Sequence, residues 1–268
     1  MDNWNAISIV LMQCLLNLEE LQIENCGGLL EVFKLEGLLN RKGEQKDVFL
    51  SRLKRMWLDE LLDMRCIWKG PTQLINLNHL ENLQVFGCKK LIYLTPTLAR
   101  SLQNLKCLEI GRCDELEHLI VEDENDRILS KRHLQTLCFP KLDVVEVEEC
   151  NKLKYLFPVT ISHNLLELSS LKVETASQLV EVFTHEDEVD NLVQKEVTLP
   201  KLKDITLKRL PSLLNFFPRN YHVMLPNLHN LKVKKCPNMT TSFSDKTVQV
   251  NGEVPTILPF FIFFFTQL

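Results

Sequence analysis

Leu105-Lys106-Cys107-Leu108-Glu109-Ile110-Gly111-Arg112-Cys113-Asp114-Glu115-Leu116-Glu117-His118-Leu119 decides how the rest of this 268-residue chain is read. Counted from Leu105, apolar or small side chains fall at offsets 0, 3, 5, 8, 11 and 14, a spacing that is neither helical nor simply alternating. The frame is not local. It starts again at Leu18, Leu53, Leu80, Leu142, Leu168, Leu202 and Leu228, which makes eight copies in all. The copy before it runs Leu80, Leu83, Val85, Cys88, Leu91, Leu94, and the copy after it Leu142, Val145, Val147, Cys150, Leu153, Leu156. Self-similarity at this period means stacked structural units that share one core.

Within each copy, offsets 3 and 5 lie two residues apart, so their side chains leave the same face of an extended strand, while offsets 2, 4 and 6 leave the other. The first face is apolar throughout and the second mostly polar. Each copy therefore predicts one short strand, and successive strands predict a curved parallel sheet. Offsets 8, 11 and 14 turn the chain away and bring apolar groups back beneath it. The fold class expected is an α/β repeat, a leucine-rich-repeat solenoid, with the sheet on the concave side and a mostly irregular or short-helical convex side. We expect a partial N-terminal coil over 1–17, the repeat domain over 18–243, and a non-repeat tail over 244–268.

Composition agrees with a folded chain: 45% of residues are hydrophobic and 25% charged. The net charge of -4 exerts no overall pull towards nucleic acid or an anionic membrane. Nine cysteines include five at offset 8, namely Cys26, Cys88, Cys113, Cys150 and Cys236. Other copies carry Leu61, Ala176 or Leu210 there, so the place is for packing and not for pairing. Reduced, buried thiols are expected, and with them the cytosol or nucleus. A small side chain with a weak donor suits buried carbonyls at the inward turn. The turns at Leu61 and Leu210 must manage by packing alone, and are expected to differ in shape.

The N-terminal apolar run Ala6 to Met12 has no preceding basic residue, and Asp2 stands where a signal peptide prefers positive charge. It is expected to be the remains of a preceding coil. The tripeptide Asn238-Met239-Thr240 has the form of a glycosylation sequon but carries little weight alone. The segment ILPFFIFFF, Ile257 to Phe265, does not continue the repeat and falls short of the ~20 apolar residues that span a bilayer as a helix. No membrane span is expected.

Steps between copies are 35, 27, 25, 37, 26, 34 and 26 residues. The long ones hold charged insertions, Lys34 to Val48, Val121 to Cys138 and Thr184 to Thr198, two with acidic runs at Glu122 to Asp126 and Glu186 to Glu188. Such runs are expected as solvated loops. Phe49-Leu50-Ser51-Arg52-Leu53, Phe139-Pro140-Lys141-Leu142 and Leu199-Pro200-Lys201-Leu202 end the three alike, and in the last two a proline stiffens the approach to the next strand. Pro96, Pro158 and Pro218 recur at one place after the strand and mark the start of the convex return.

Phosphate-loop, dinucleotide, zinc-protease, C-x-x-C and nucleophile-elbow patterns are all missing, and none of the seven histidines lies at ligand spacing to a cysteine pair. No active site, metal or cofactor is expected. What remains is the concave face, where long repeat proteins bind partners. Its candidate binding residues are Arg55, Trp57, Asp59, Gln84, Phe86, Glu109, Glu146, Lys172, Lys208, Lys232 and Lys234. Across offsets 2, 4 and 6 the first five copies supply six acids and one base, and the last three supply two acids and four bases, so the face is polarised along its length. Trp57 and Phe86 occupy outward places on adjacent strands, where polar residues are the norm, and are candidate anchors.

The combination of Leu-x-x-Leu-x-Ile-x-x-Cys-x-x-Leu, charged inserts and Phe-Pro-Lys-Leu resembles the C-terminal leucine-rich-repeat region of plant coiled-coil, nucleotide-binding disease-resistance proteins. LLEVF at 29–33, LVEVF at 179–183 and KLKYLFP at 152–158 are especially similar to it. The resemblance implies a non-enzymatic domain that restrains a nucleotide-binding switch and takes part in sensing. The partners it implies are proteins: a pathogen effector, a guarded host protein, or the nucleotide-binding domain of a resistance protein. No phosphate loop stands in these 268 residues, so nucleotide exchange by this stretch itself is not expected. Two alternatives compete, a truncated resistance fragment without function and a substrate-recognition subunit of a ubiquitin ligase. The latter predicts Ile-Thr-Asp-like turns after the cysteine, where Gly27-Gly28, Lys89-Lys90 and Asp114-Glu115 stand instead.

Overall fold

The computed structural model describes residues 16–34, 49–69, 75–96, 102–121, 139–184, 195–218 and 221–241. The first fifteen residues, both acidic runs, most of the three charged insertions and the tail with ILPFFIFFF lie outside the described residues.

One strand forms in each copy, at offsets 2 to 6: Glu20–Glu24 (β1), Arg55–Asp59 (β2), Asn82–Phe86 (β3), Cys107–Gly111 (β4), Val144–Glu148 (β5), Ser170–Glu174 (β6), Asp204–Lys208 (β7) and Asn230–Lys234 (β8). They pair in chain order into one eight-stranded sheet, parallel throughout. Register never slips. Leu108 stands between Leu83 and Val145, and Ile110 between Val85 and Val147, so each inward side chain meets its equivalents above and below. Alternation of buried and half-buried residues along Asn82–Phe86 and Val144–Glu148 is the period-two signal in physical form. The leucine-rich-repeat solenoid is the architecture observed.

The core is one continuous column. Offsets 0, 3, 5, 8 and 11 are buried in every copy from Leu53 to Leu213, while Leu18, Leu21, Ile23, Leu228, Leu231 and Val233 are only partly covered. One buried position escaped the repeat frame. The residue three before each leading leucine, Leu50, Leu77, Leu102, Phe139, Leu165 or Leu199, is also in the core. Its carbonyl accepts the N–H of the leading leucine, as in Leu53 to Leu50 at 3.1 Å and Leu142 to Phe139 at 3.1 Å, which closes a turn just before the strand.

A second turn closes just after it. The residue at offset 7 is left-handed in all eight copies, with φ between 51° and 63° at Asn25, Glu60, Gly87, Arg112, Glu149, Thr175, Arg209 and Lys235. Seven of these are not glycine, a conformation that costs an L-residue ~1 kcal/mol or more. The compensation is a ladder: Glu60 N–H donates to the Phe86 carbonyl at 3.0 Å, Arg112 to Glu148 at 2.9 Å and Arg209 to Lys234 at 2.9 Å. This corrects the expectation that the turns at Leu61 and Leu210 differ in shape. They are the same, because the backbone ladder and not the side chain at offset 8 sets the turn.

The thiols add to that arrangement. Cys88 Sγ donates to the Phe86 carbonyl at 3.3 Å, Cys113 to Gly111 at 3.4 Å and Cys150 to Glu148 at 3.4 Å. All seven described cysteines are free. Cys26 departs from the expected burial and is exposed, since no described coil covers its outer side.

A further backbone ladder runs along offset 12, from Arg65 N–H to the Leu30 carbonyl at 2.9 Å through Val180 to Lys154 at 3.0 Å and on to Thr240 to Leu214 at 2.7 Å. Beyond it the described part of the return holds short parallel pairs. Glu31–Lys34 pairs with Cys66–Lys69, Tyr93–Pro96 with His118–Val121, Phe157–Pro158 with Phe183–Thr184, and Lys195–Thr198 with Tyr221–Met224, each in parallel. A short-helical return appears at Val159–Asn164, a 3-10 turn that starts behind Pro158. Phe139, Phe157, Phe183 and Phe216 form a run of tilted and edge-on ring contacts at centroid distances of 6.3, 5.9 and 5.8 Å.

Candidate protein-interaction face

Backbone hydrogen bonds hold the sheet and the inward side chains fill the core, so the outward side chains at offsets 2, 4 and 6 are left to line the other face of the sheet. They form three rows. The middle row reads Gln22, Trp57, Gln84, Glu109, Glu146, Lys172, Thr206, Lys232, and the next Glu24, Asp59, Phe86, Gly111, Glu148, Glu174, Lys208, Lys234.

Trp57 is 42% exposed, with Gln22 and Gln84 as its strand neighbours. Phe86 is half-buried and leans the other way. A Cβ placed on Gly111 would meet its Cδ1 at 2.7 Å, so the ring lies over the glycine of the following strand. The two aromatics are thus on adjacent strands, but only Trp57 projects. A glycine directly in register with Phe86 was the sequence signal for this, and periodic apolar positions alone do not reveal it.

Charges on the face are largely paired. Arg55 bonds Glu20. Asp59 lies 3.3 Å from Arg112, whose guanidinium also donates to Glu60 at 2.8 Å. Lys172 reaches Glu146 at 3.3 Å and also bonds Glu148, which raises the pKa of its ammonium. Lys208 donates to Glu174 at 2.9 Å, and that hydrogen bond holds the Glu174 carboxyl below the usual carboxylate range. Arg112 is a contributor that the repeat frame missed, since offset 7 carries no apolar signal. Its left-handed backbone aims the side chain back across two coils.

Polarisation along the face is therefore reduced but not erased. Glu109 accepts from the Cys107 thiol at 3.1 Å and has no ion pair among the described residues. Burial, and then Glu109, push the Cys107 thiol up to about 12. Lys232 and Lys234 are exposed on the last strand with no ion pair among the described residues. Between Phe86, Glu109, Ile110, Glu146 and Glu148 the face dips into a hollow of about 140 Å³.

No group of three His, Cys, Asp or Glu side chains among the described residues is placed to hold a metal ion. No helix among them is long and apolar enough to cross a membrane.

A family model of the leucine-rich repeats of plant disease resistance protein RPS2-like matches residues 2–114 and 115–250. The chain belongs to this family. Its parallel sheet with one strand per repeat is consistent with the leucine-rich repeats that the family description names, and the family's repeats support a protein-interaction role in plant defence. A search of the curated proteins found no match.

Proposed function

We propose that this chain is a non-enzymatic recognition domain acting in plant intracellular defence, and that its concave face binds a partner protein. The partner is a pathogen effector, a guarded host protein or the nucleotide-binding domain of a resistance protein, met in the cytoplasm. The observation that carries this reading is a sheet face that no other described element covers and that bears the exposed Trp57. Trp57 and Phe86 serve as anchors, Arg55, Asp59, Gln84, Glu109 and Glu146 surround them, and Lys172, Lys208, Lys232 and Lys234 steer the other end. Family membership favours this over a ubiquitin-ligase subunit.

The test is capture of partners from plant cytosol by the wild-type chain and by a Trp57→Ala, Phe86→Ala double variant. Loss of specific partners with the double variant is expected. Equal recovery by both overturns the anchor assignment. Repeating the capture at raised salt is expected to weaken binding where Lys232 and Lys234 contribute, because exposed charges are screened.

A further inference from the structure

The concave sheet has a hollow whose chemistry is narrower than that of the face around it. The Phe86 ring lies over Gly111, which has no side chain of its own, and forms one wall of the hollow, while Glu109, Ile110, Glu146 and Glu148 line the rest. About 140 Å³ admits the end of one side chain and is too small for a cofactor, which requires ~300 Å³ or more. Three carboxylates border it and one ammonium, Lys172, answers two of them from the following strand. Glu109 keeps its charge unmatched by any cation among the described residues, with the Cys107 thiol satisfying only one of its oxygens. An anion is repelled there and an aliphatic group would leave the carboxylates unsolvated.

We propose that this hollow is a receptor for a single arginine side chain presented by the protein partner. The inference rests on the reading of the concave face as the docking surface. A planar guanidinium bonds a carboxylate with two parallel N–H groups and packs against an aromatic ring, so it matches Glu109 and Phe86 together. Lysine offers a point charge without the plane and suits only the carboxylates. Trp57, two strands away from the Glu109 strand, then grips an apolar part of the same partner, and the arginine fixes the direction in which it lies along the coils.

The probe is N-acetyl-arginine amide, titrated into isotopically labelled full-length chain and followed by the backbone amide resonances. Saturable shifts centred on Phe86, Glu109, Gly111 and Glu148 are expected, with the lysine analogue weaker and the neutral isostere N-acetyl-citrulline amide without effect. Glu109→Gln weakens arginine binding by roughly fivefold, the scale of one partly screened charge pair, and leaves amides elsewhere unmoved. Lys172→Met strengthens it, since that ammonium competes for Glu146 and Glu148. Shifts by citrulline equal to those by arginine overturn the proposal, as does an absence of shifts at these residues or an unchanged affinity in Glu109→Gln. Any of these leaves the concave-face reading intact if Trp57→Ala still abolishes partner capture. Loss of that dependence on Trp57 instead sinks the broader reading.

Discussion

Cys26 and Cys113 hold the same place in the repeat and make the same bond to the carbonyl two residues back, at 3.4 Å in both, yet one is exposed and the other buried. Chemistry at offset 8 was legible from sequence and accessibility was not, because accessibility depends on which coil lies outside. Burial also raises the Cys88 thiol to about 11, so that cysteine is doubly protected, by access and by scarcity of thiolate. With iodoacetamide on the native chain, Cys26 is expected to be alkylated at least ~10-fold faster than Cys88, Cys113, Cys150 or Cys236, read by peptide mass spectrometry. Equal rates would mean that the column opens readily. Glycines separate in the same way. Gly87 has φ +63° and a Cβ there would meet the Glu60 carboxylate at 2.6 Å, whereas a Cβ on Gly27 meets nothing. Gly87→Ala should lower stability by about 1–2 kcal/mol in denaturant unfolding and disturb the Glu60 to Arg112 bond, while Gly27→Ala should be close to neutral.

Strands of the concave sheet were readable residue by residue, because two signals agree on them: alternation within a copy and recurrence between copies. Leu108 is 1% exposed in the middle of β4, and Leu108→Ala should cost about 2–5 kcal/mol as other buried leucines do. Pairing beyond the turn had no such double signal. Glu31–Lys34 and Cys66–Lys69 bury two or more residues in succession, which reads as neither strand nor helix, and only stacking on the next coil makes them strands. Ion pairs between coils are a second thing that spacing does not announce. Glu19 with Lys54, Glu81 with Lys106, and Glu117 with Lys154 each hold the acid below its ordinary value of 4.5, through a hydrogen bond from the lysine. Glu174, the least exposed of these acids, is lowered by Lys208 in the same sense. A lowered carboxylate stabilises the fold above its unfolded pKa, and that contribution disappears as pH falls through the lower folded value. Thermal stability should therefore drop as pH goes below about 4.5, and Glu174→Gln should flatten that acid limb while leaving the neutral plateau slightly reduced. An unchanged acid limb would show that the pair is solvent-screened into irrelevance.

Across the whole molecule, stability comes from stacking, so position along the stack matters as much as residue type. The inward residues of β2 to β7 are buried, and β1 and β8 have only partly buried ones at Leu21, Ile23, Leu231 and Val233. Amide exchange is expected to be slowest in β3 to β5 and fastest in β1 and β8, with Leu231→Ala costing less than Leu108→Ala. Uniform protection across the sheet would contradict this. The steps between copies vary from 25 to 37 residues, yet the eight strands keep one unbroken alignment. Extra length falls in sequence after the strand and its turn, and the two backbone ladders carry on past it. Growth by insertion and change of specificity are thereby largely uncoupled: steps of 34 to 37 residues leave the outward residues of the sheet in the same register as steps of 25 to 27, and an exposed outward position such as Trp57 can be rewritten without disturbing the buried column.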